Sequence, residues 1–135
     1  MVYLTRKEHF NAAHRLYNPA WSDEKNFEMF GKCSGKNFHG HNYDLYVTVK
    51  GVPSRDTGIL INLKDMSALI TRHVLDKIDH KNINLEVEFM KGKIPSTENL
   101  TEAIFKELQN RFSGCDLHSV KLYETENNFA EYFGE

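Results

Sequence analysis

The stretch HNYDLYVTVKG, residues 41 to 51, alternates without a break: Tyr43, Leu45, Val47 and Val49 fall on one side, Asp44, Tyr46, Thr48 and Lys50 on the other. Successive side chains of a strand point to opposite faces, so this pattern specifies a β-strand with one buried and one solvated face. Such a strand cannot stand alone. It needs partners along its edges and a second layer over its apolar side.

The rest of the chain supplies both. Residues 2 to 14 read as another strand, with Val2, Leu4, Phe10, Ala12 and His14 on one side, although Arg6 and Glu8 interrupt the pattern. Residues 15 to 38 show no period of either kind, mixing Asn, Pro, Ser, Gly and Lys with Trp21, Phe27, Met29 and Phe30; a functional loop or a short helix is expected there. After a turn region at Pro53, Asp56 and Gly58, Asn62 with Asp65 predicts a helix start. Met66, Leu69, Ile70, His73, Val74 and Ile78 follow at helical spacing, with an end expected near Asp79 to Asn82. Ser96 predicts a second cap, and Leu100, Ile104, Leu108 and Phe112 trace a stripe that Gly114 stops. HSVKLYE, with Val120, Leu122 and Glu124 on one face, and FAEYFGE give two last strands around a TENN turn. The order strand, strand, helix, helix, strand, strand predicts an α+β fold: a four-stranded antiparallel sheet with two helices on one face. Its open edges need covering, and closure of several subunits into a barrel is one solution, so an oligomer is expected.

Composition narrows the function. The 135 residues suit one domain spanning 1–135, and the balance of 40% hydrophobic and 27% charged residues is that of a soluble globular protein. A net charge of −2 without a Lys/Arg cluster leaves no electrostatic footprint for nucleic acid. No leader pattern opens the chain and no apolar run approaches the ~18 residues of a membrane span, so neither export nor a membrane is expected. Cys33 and Cys115 are therefore expected as free thiols in a reducing cytoplasm.

The chemistry concentrates in CSGKNFHGH, residues 33 to 41. His39 and His41 are two apart, so on an extended segment they point to one side and can share an ion. If the first two strands pair antiparallel, the end of the first at His14 is expected beside the start of the second at His41, and three imidazoles converge. Three nitrogens with an open fourth position are the pattern of catalytic zinc; adding Cys33 makes a Cys-His-His-His set that would close a structural site. Spacing leaves both open. His73 is expected in the core, His9 and His118 on the surface, and Cys115 as a packing residue. His80 follows Asp79, a carboxylate that can hold an imidazole's tautomer and raise its basicity. On spacing alone it reads as a histidine favoured by a helix C-terminus.

The set FNAAHR, FGKC, HGHNY, KIDHKNIN, PSTENL and VKLYETENN, in this order along nearly the whole chain, resembles the 6-pyruvoyl-tetrahydropterin synthases, which share the tunnelling fold. The resemblance implies a zinc-dependent lyase acting on 7,8-dihydroneopterin triphosphate. It implies zinc on His14, His39 and His41, Cys33 as the base rather than a ligand, and Asp79 and His80 in a proton relay from a neighbouring subunit. It further implies Glu124 as the anchor of the pterin ring, Thr97 and Glu98 lining the pterin pocket, and a homohexamer of two stacked trimers. Cys33 argues against a group in which glutamate replaces the cysteine. Its five-residue separation from His39 is like the pyruvoyl branch, whereas the 6-carboxytetrahydropterin synthases of deazapurine (queuosine) synthesis commonly have a shorter gap. A non-catalytic, zinc-stabilised pterin-binding module is the alternative of another class. The triphosphate needs positive charge, and Arg15, Lys32, Lys36, Lys64 and Lys93 are all candidates that sequence does not rank.

Overall fold

In a computed structural model that describes all 135 residues, β1 (Val2–His14) and β2 (His39–Gly51) form a long antiparallel ribbon, paired without a break from Val2 opposite Gly51 to His14 opposite His39. A two-residue β3 (Lys81–Asn82) lies parallel along the outer edge of β1, against Ala12 and Ala13. On the other side β4 (Asp116–Thr125) pairs antiparallel with β2, and β5 (Asn128–Tyr132) with β4. The sheet order is β3-β1-β2-β4-β5. The expected four-stranded antiparallel sheet is thus corrected to a five-stranded mixed one. The four long strands carry the hydrophobic alternation, whereas two residues are too few to carry a period.

The helical layer has more pieces than the two predicted helices. Residues 15–38 contain α1 (Asp23–Phe30), followed by a 3-10 turn (Gly31–Ser34). The first predicted helix is α2 (Leu63–Ile70), which runs through one π-helical turn (Thr71–Leu75) into α3 (Asp76–Ile78). A short α4 (Ile83–Glu86) follows β3, and α5 (Thr97–Leu108) is the second predicted helix. Both predicted caps are made: the Asn62 side chain accepts from the Lys64 N–H and Ser96 from the Asn99 N–H. The α5 stripe outruns its helix, because Gln109 leaves helical geometry and Asn110 turns left-handed at φ 63°. Phe112 then packs against the core from beyond the helix.

The core forms where the alternation of β2 places it. Tyr43, Leu45, Val47 and Val49 are fully buried, covered by Met66, Ile70, Val74 and Ile78 from α2 to α3 and by Leu100, Ile104 and Leu108 from α5. His73, expected in this core, is instead half-buried within the π-turn. The extra residue in that turn rotates the helix locally, which leaves neighbouring Val74 facing inward.

The segment between β1 and β2 is held by amides. Buried Asn26 accepts from the Asn18 N–H at 2.7 Å and donates to the carbonyls of Asn18 at 3.0 Å and Ser22 at 3.2 Å. Asn84 brackets Arg15, accepting from its N–H at 2.9 Å and donating to its carbonyl at 3.0 Å. The Leu16 N–H reaches the Cys33 carbonyl at 2.7 Å, so the turn carrying the thiol is tied to the end of β1. Polar staples have no hydrophobic period, which is why the sequence pattern is blank here. Replacing Asn26 by Ala strands several main-chain groups, and a loss of about 1–3 kcal/mol in urea unfolding is expected; an unchanged midpoint would show that the segment is held by something else.

Candidate metal centre and active site

Three imidazoles meet at one end of the β1–β2 ribbon. His14 stands directly opposite His39, and His41 stands opposite Ala12. The expectation of His14 beside His41 is therefore corrected by one step of two residues: the ladder starts at His39 itself, and His41 is the diagonal neighbour on the same face. Convergence survives, with ring centroids 4.6 Å apart for His14 and His39, 5.1 Å for His14 and His41, and 5.0 Å for His39 and His41. One nitrogen from each ring lies within 4.8 Å of the other two.

The protonation pattern follows from the surroundings. His14 is 1% exposed, and its Nδ1 sits 2.8 Å from the Pro95 carbonyl, to which it donates. Its Nε2 is then a bare lone pair. Both the His14 Nε2 and the His41 Nε2 are sealed from solvent without a hydrogen-bond partner. Burial holds His14 below the usual imidazole range, the Pro95 bond only partly opposing it, and burial followed by the neighbouring His41 does the same to His39. Neutral rings are ready to ligate.

Glu124 faces them. It occupies an irregularity of the β4–β5 ladder between Tyr123 and Thr125, on the same face as buried Val120 and Leu122. Its carboxylate lies 3.7 Å from the His41 Nε2 and 3.9 Å from the His14 Nε2, and the Thr97 hydroxyl donates to it at 2.7 Å. The His14 lone pair and the carboxylate are both acceptors, and the buried His41 Nε2 beside them has no hydrogen-bond partner. The three histidines are positioned to hold a metal ion, and nitrogen donors with a nearby oxygen suit a borderline divalent cation such as zinc. Tyr43 closes the floor, stacked on Phe10 at 4.8 Å with its hydroxyl 3.5 Å from the His14 Nδ1. Burial, then the charge of Glu124, pushes its phenol far above the usual range, so it stays protonated.

The remaining expected residues are distributed around this centre. Cys33 is half-buried in the 3-10 turn and is not among the converging ligand atoms. Glu98 is exposed in the first turn of α5, next to buried Thr97. Asp79 and His80 form a dyad, His80 Nδ1 to Asp79 Oδ1 at 3.0 Å. Asp79 also accepts the Asn11 N–H at 3.0 Å, the main cause holding its carboxyl below the ordinary range, and the His80 N–H donates to the Asn11 carbonyl at 2.6 Å. These bonds hold His80 at φ 61°, a conformation that side chains other than glycine seldom adopt. The dyad lines a depression with His9, Asn11, Asn42 and Asp44. Asn11 and Asn42 alternate with the inward-facing Ala12 and His41, so the dyad belongs to the open face of the sheet, across from its own imidazole cluster. Sequence reasoning missed the contributions of Pro95, Asn11 and Tyr43. The first two act through main-chain atoms, and Tyr43 reads as one more apolar position of β2.

Fold and site together define an α+β protein with three histidines positioned to hold a metal ion beside a carboxylate. The chain belongs to the 6-pyruvoyl tetrahydropterin synthase family, whose family model matches residues 3–135. The 6-pyruvoyl tetrahydrobiopterin synthase of Dictyostelium discoideum is 42% identical, covering 99% of this chain and 97% of that protein. The structure of Caenorhabditis elegans 6-pyruvoyl tetrahydropterin synthase superposes with a TM-score of 0.92 at 35% identity, covering 99% of this chain and 96% of that one. The 6-carboxy-5,6,7,8-tetrahydropterin synthase of Rickettsia typhi is 31% identical, covering 97% of this chain and 99% of that protein.

A folded state that keeps His14 and His39 neutral binds fewer protons than the unfolded chain just below the ordinary imidazole value of 6.5. In metal-free protein this costs stability as pH falls through that value, and costs nothing well above it. Histidine-resolved NMR titration should find both midpoints lower in the folded, metal-free protein than in urea. Equal midpoints would contradict the burial argument.

Proposed function

We propose that this chain is a zinc-dependent lyase that converts 7,8-dihydroneopterin triphosphate to 6-pyruvoyl-tetrahydropterin with elimination of triphosphate. The observation that carries this reading is the set of unpartnered Nε2 atoms of His14 and His41 facing Glu124, in a chain of this family. His14, His39 and His41 would hold the ion, which when bound supplies Lewis acidity toward the substrate's side-chain hydroxyls and so acidifies the adjacent carbon-bound protons.

The chain's own residues then divide the work. Cys33, as thiolate, takes the carbon-bound proton. Glu124 accepts two parallel hydrogen bonds from the amino-pyrimidine edge of the pterin, a contact that fixes the ring. Thr97 holds one oxygen of that carboxylate in place, and Glu98 beside it borders the pterin pocket. Electrons move within the substrate, the side chain losing what the ring gains, so no external carrier is needed. Asp79 holds Nδ1 of His80, leaving Nε2 to pass a proton to or from the thiol. The dyad lies across the sheet from its own imidazoles, which supports a relay to the Cys33 of a neighbouring subunit in a cytoplasmic hexamer of two stacked trimers with barrel-closed sheets.

A second reading, 6-carboxytetrahydropterin synthesis from the same substrate, has a specific observation in its favour, the 31% identity to the Rickettsia typhi protein. The 42% identity to the Dictyostelium discoideum protein and the five residues between Cys33 and His39 favour the pyruvoyl product. Mass spectrometry after incubation with dihydroneopterin triphosphate separates the two, since the products differ in mass; the carboxy mass would replace the first reading by the second. Cys33→Ala should keep about one zinc per chain and lower turnover by about 10²- to 10⁴-fold, whereas His39→Ala should lose the metal. Loss of zinc on Cys33→Ala would instead make the thiol a ligand, as a structural module requires.

A further inference from the structure

The structure ranks the five cations that could meet the substrate's phosphates. Lys32, Lys36, Lys64 and Lys93 are exposed, and Lys36 is already engaged with Asp23 at 3.1 Å. Arg15 differs in every respect. It follows His14 directly, its main chain is bracketed on both sides by Asn84, and its guanidinium carbon lies 3.8 Å from the Tyr17 ring centre. Stacking on an aromatic face removes most of the rotamer freedom that a long cationic side chain would lose on binding. None of the ion pairs in the chain includes it.

The decisive feature is the Arg15 Nε, which is sealed from solvent and has no acceptor. A guanidinium that finds no acceptor within the chain is a group that folded proteins rarely leave unsatisfied, so an acceptor is expected to meet it from the depression that Arg15 borders. Arg15 borders a depression of about 210 Å³ whose other walls include Asp23, Asn26, Ser34, Gly35 and Lys36. Asp23 is the carboxylate taken up by Lys36, so the uncompensated charge of the depression is that of Arg15. Ser34 and Gly35 follow Cys33 immediately, which sets the depression against the turn that carries the proposed base.

We propose that Arg15 is the anion-binding residue of the active site and grips the phosphate chain of an organic polyphosphate ester. The planar guanidinium can offer two parallel donors to phosphate oxygens, with Tyr17 behind it and the Asn84 bracket beneath. This rests on the reading of the site as one that takes dihydroneopterin triphosphate.

The test is calorimetric binding to the zinc-loaded protein, with inorganic triphosphate and unphosphorylated dihydroneopterin as separate probes and zinc content checked afterwards. Arg15→Gln should weaken inorganic triphosphate by about 10- to 100-fold and leave dihydroneopterin within about twofold. Arg15→Lys, which keeps the charge but not the fork, should fall between. Triphosphate binding within about twofold of wild type in Arg15→Gln overturns the assignment of Arg15 alone, provided wild type releases triphosphate from the substrate. A wild type that binds neither probe and releases nothing sinks the functional reading and this inference together. Should Arg15→Gln fail to fold, the wild-type Nε–H resonance of Arg15, sheltered from exchange by its burial, gives the answer. It should shift on adding inorganic triphosphate but not dihydroneopterin, and an unmoved resonance overturns the proposal.

Discussion

The register of β1 on β2 places His14 opposite His39 and sets His41 one diagonal step inward on the same face. A slip of one residue would turn His14 to the open face and carry Phe10 and Ala12 out of the core with it. The buried faces forbid that slip: Tyr43, Leu45, Val47 and Val49 on one strand, Phe10 and Ala12 on the other, are at most 2% exposed. Apolar packing along the ribbon thereby aligns a polar site at its end. The same ribbon carries the Asp79–His80 dyad on its far side through the main chain of Asn11.

Within the site, buried polar atoms are left without partners. The Pro95 carbonyl takes the one proton of His14, burial keeps His14 and His39 neutral, and the Glu124 carboxylate is steadied by Thr97 while it faces the unpartnered Nε2 atoms of His14 and His41. In a low-dielectric setting such an arrangement is unfavourable without positive charge at its centre. A divalent cation on the three histidines would relieve it.

What was readable in the sequence followed physical periodicity. The alternation of β2, the strand ending at His14, the caps at Asn62 and Ser96, and the inward placement of Glu124 beside Val120 and Leu122 all appear as expected. The interruption at Arg6 and Glu8 also finds its cause: Arg6 donates to Glu8 at 2.9 Å, and the Ser67 hydroxyl reaches Glu8 from α2 at 2.6 Å. A polar bridge between layers replaces apolar contact there. Structure built on amide staples, main-chain contacts or two-residue ladders left no period to read. That is why α1, β3, the Pro95 contact and the exact partner of His14 came only from the fold.

The central claim is that three imidazoles hold the metal and leave Cys33 free for chemistry. Zinc K-edge X-ray absorption on the loaded protein tests it most directly. The account predicts a first shell of nitrogen and oxygen only, at about 2.0–2.2 Å, with outer-shell scattering from about three imidazole rings. A sulfur scatterer at about 2.3 Å would make Cys33 a ligand and contradict it.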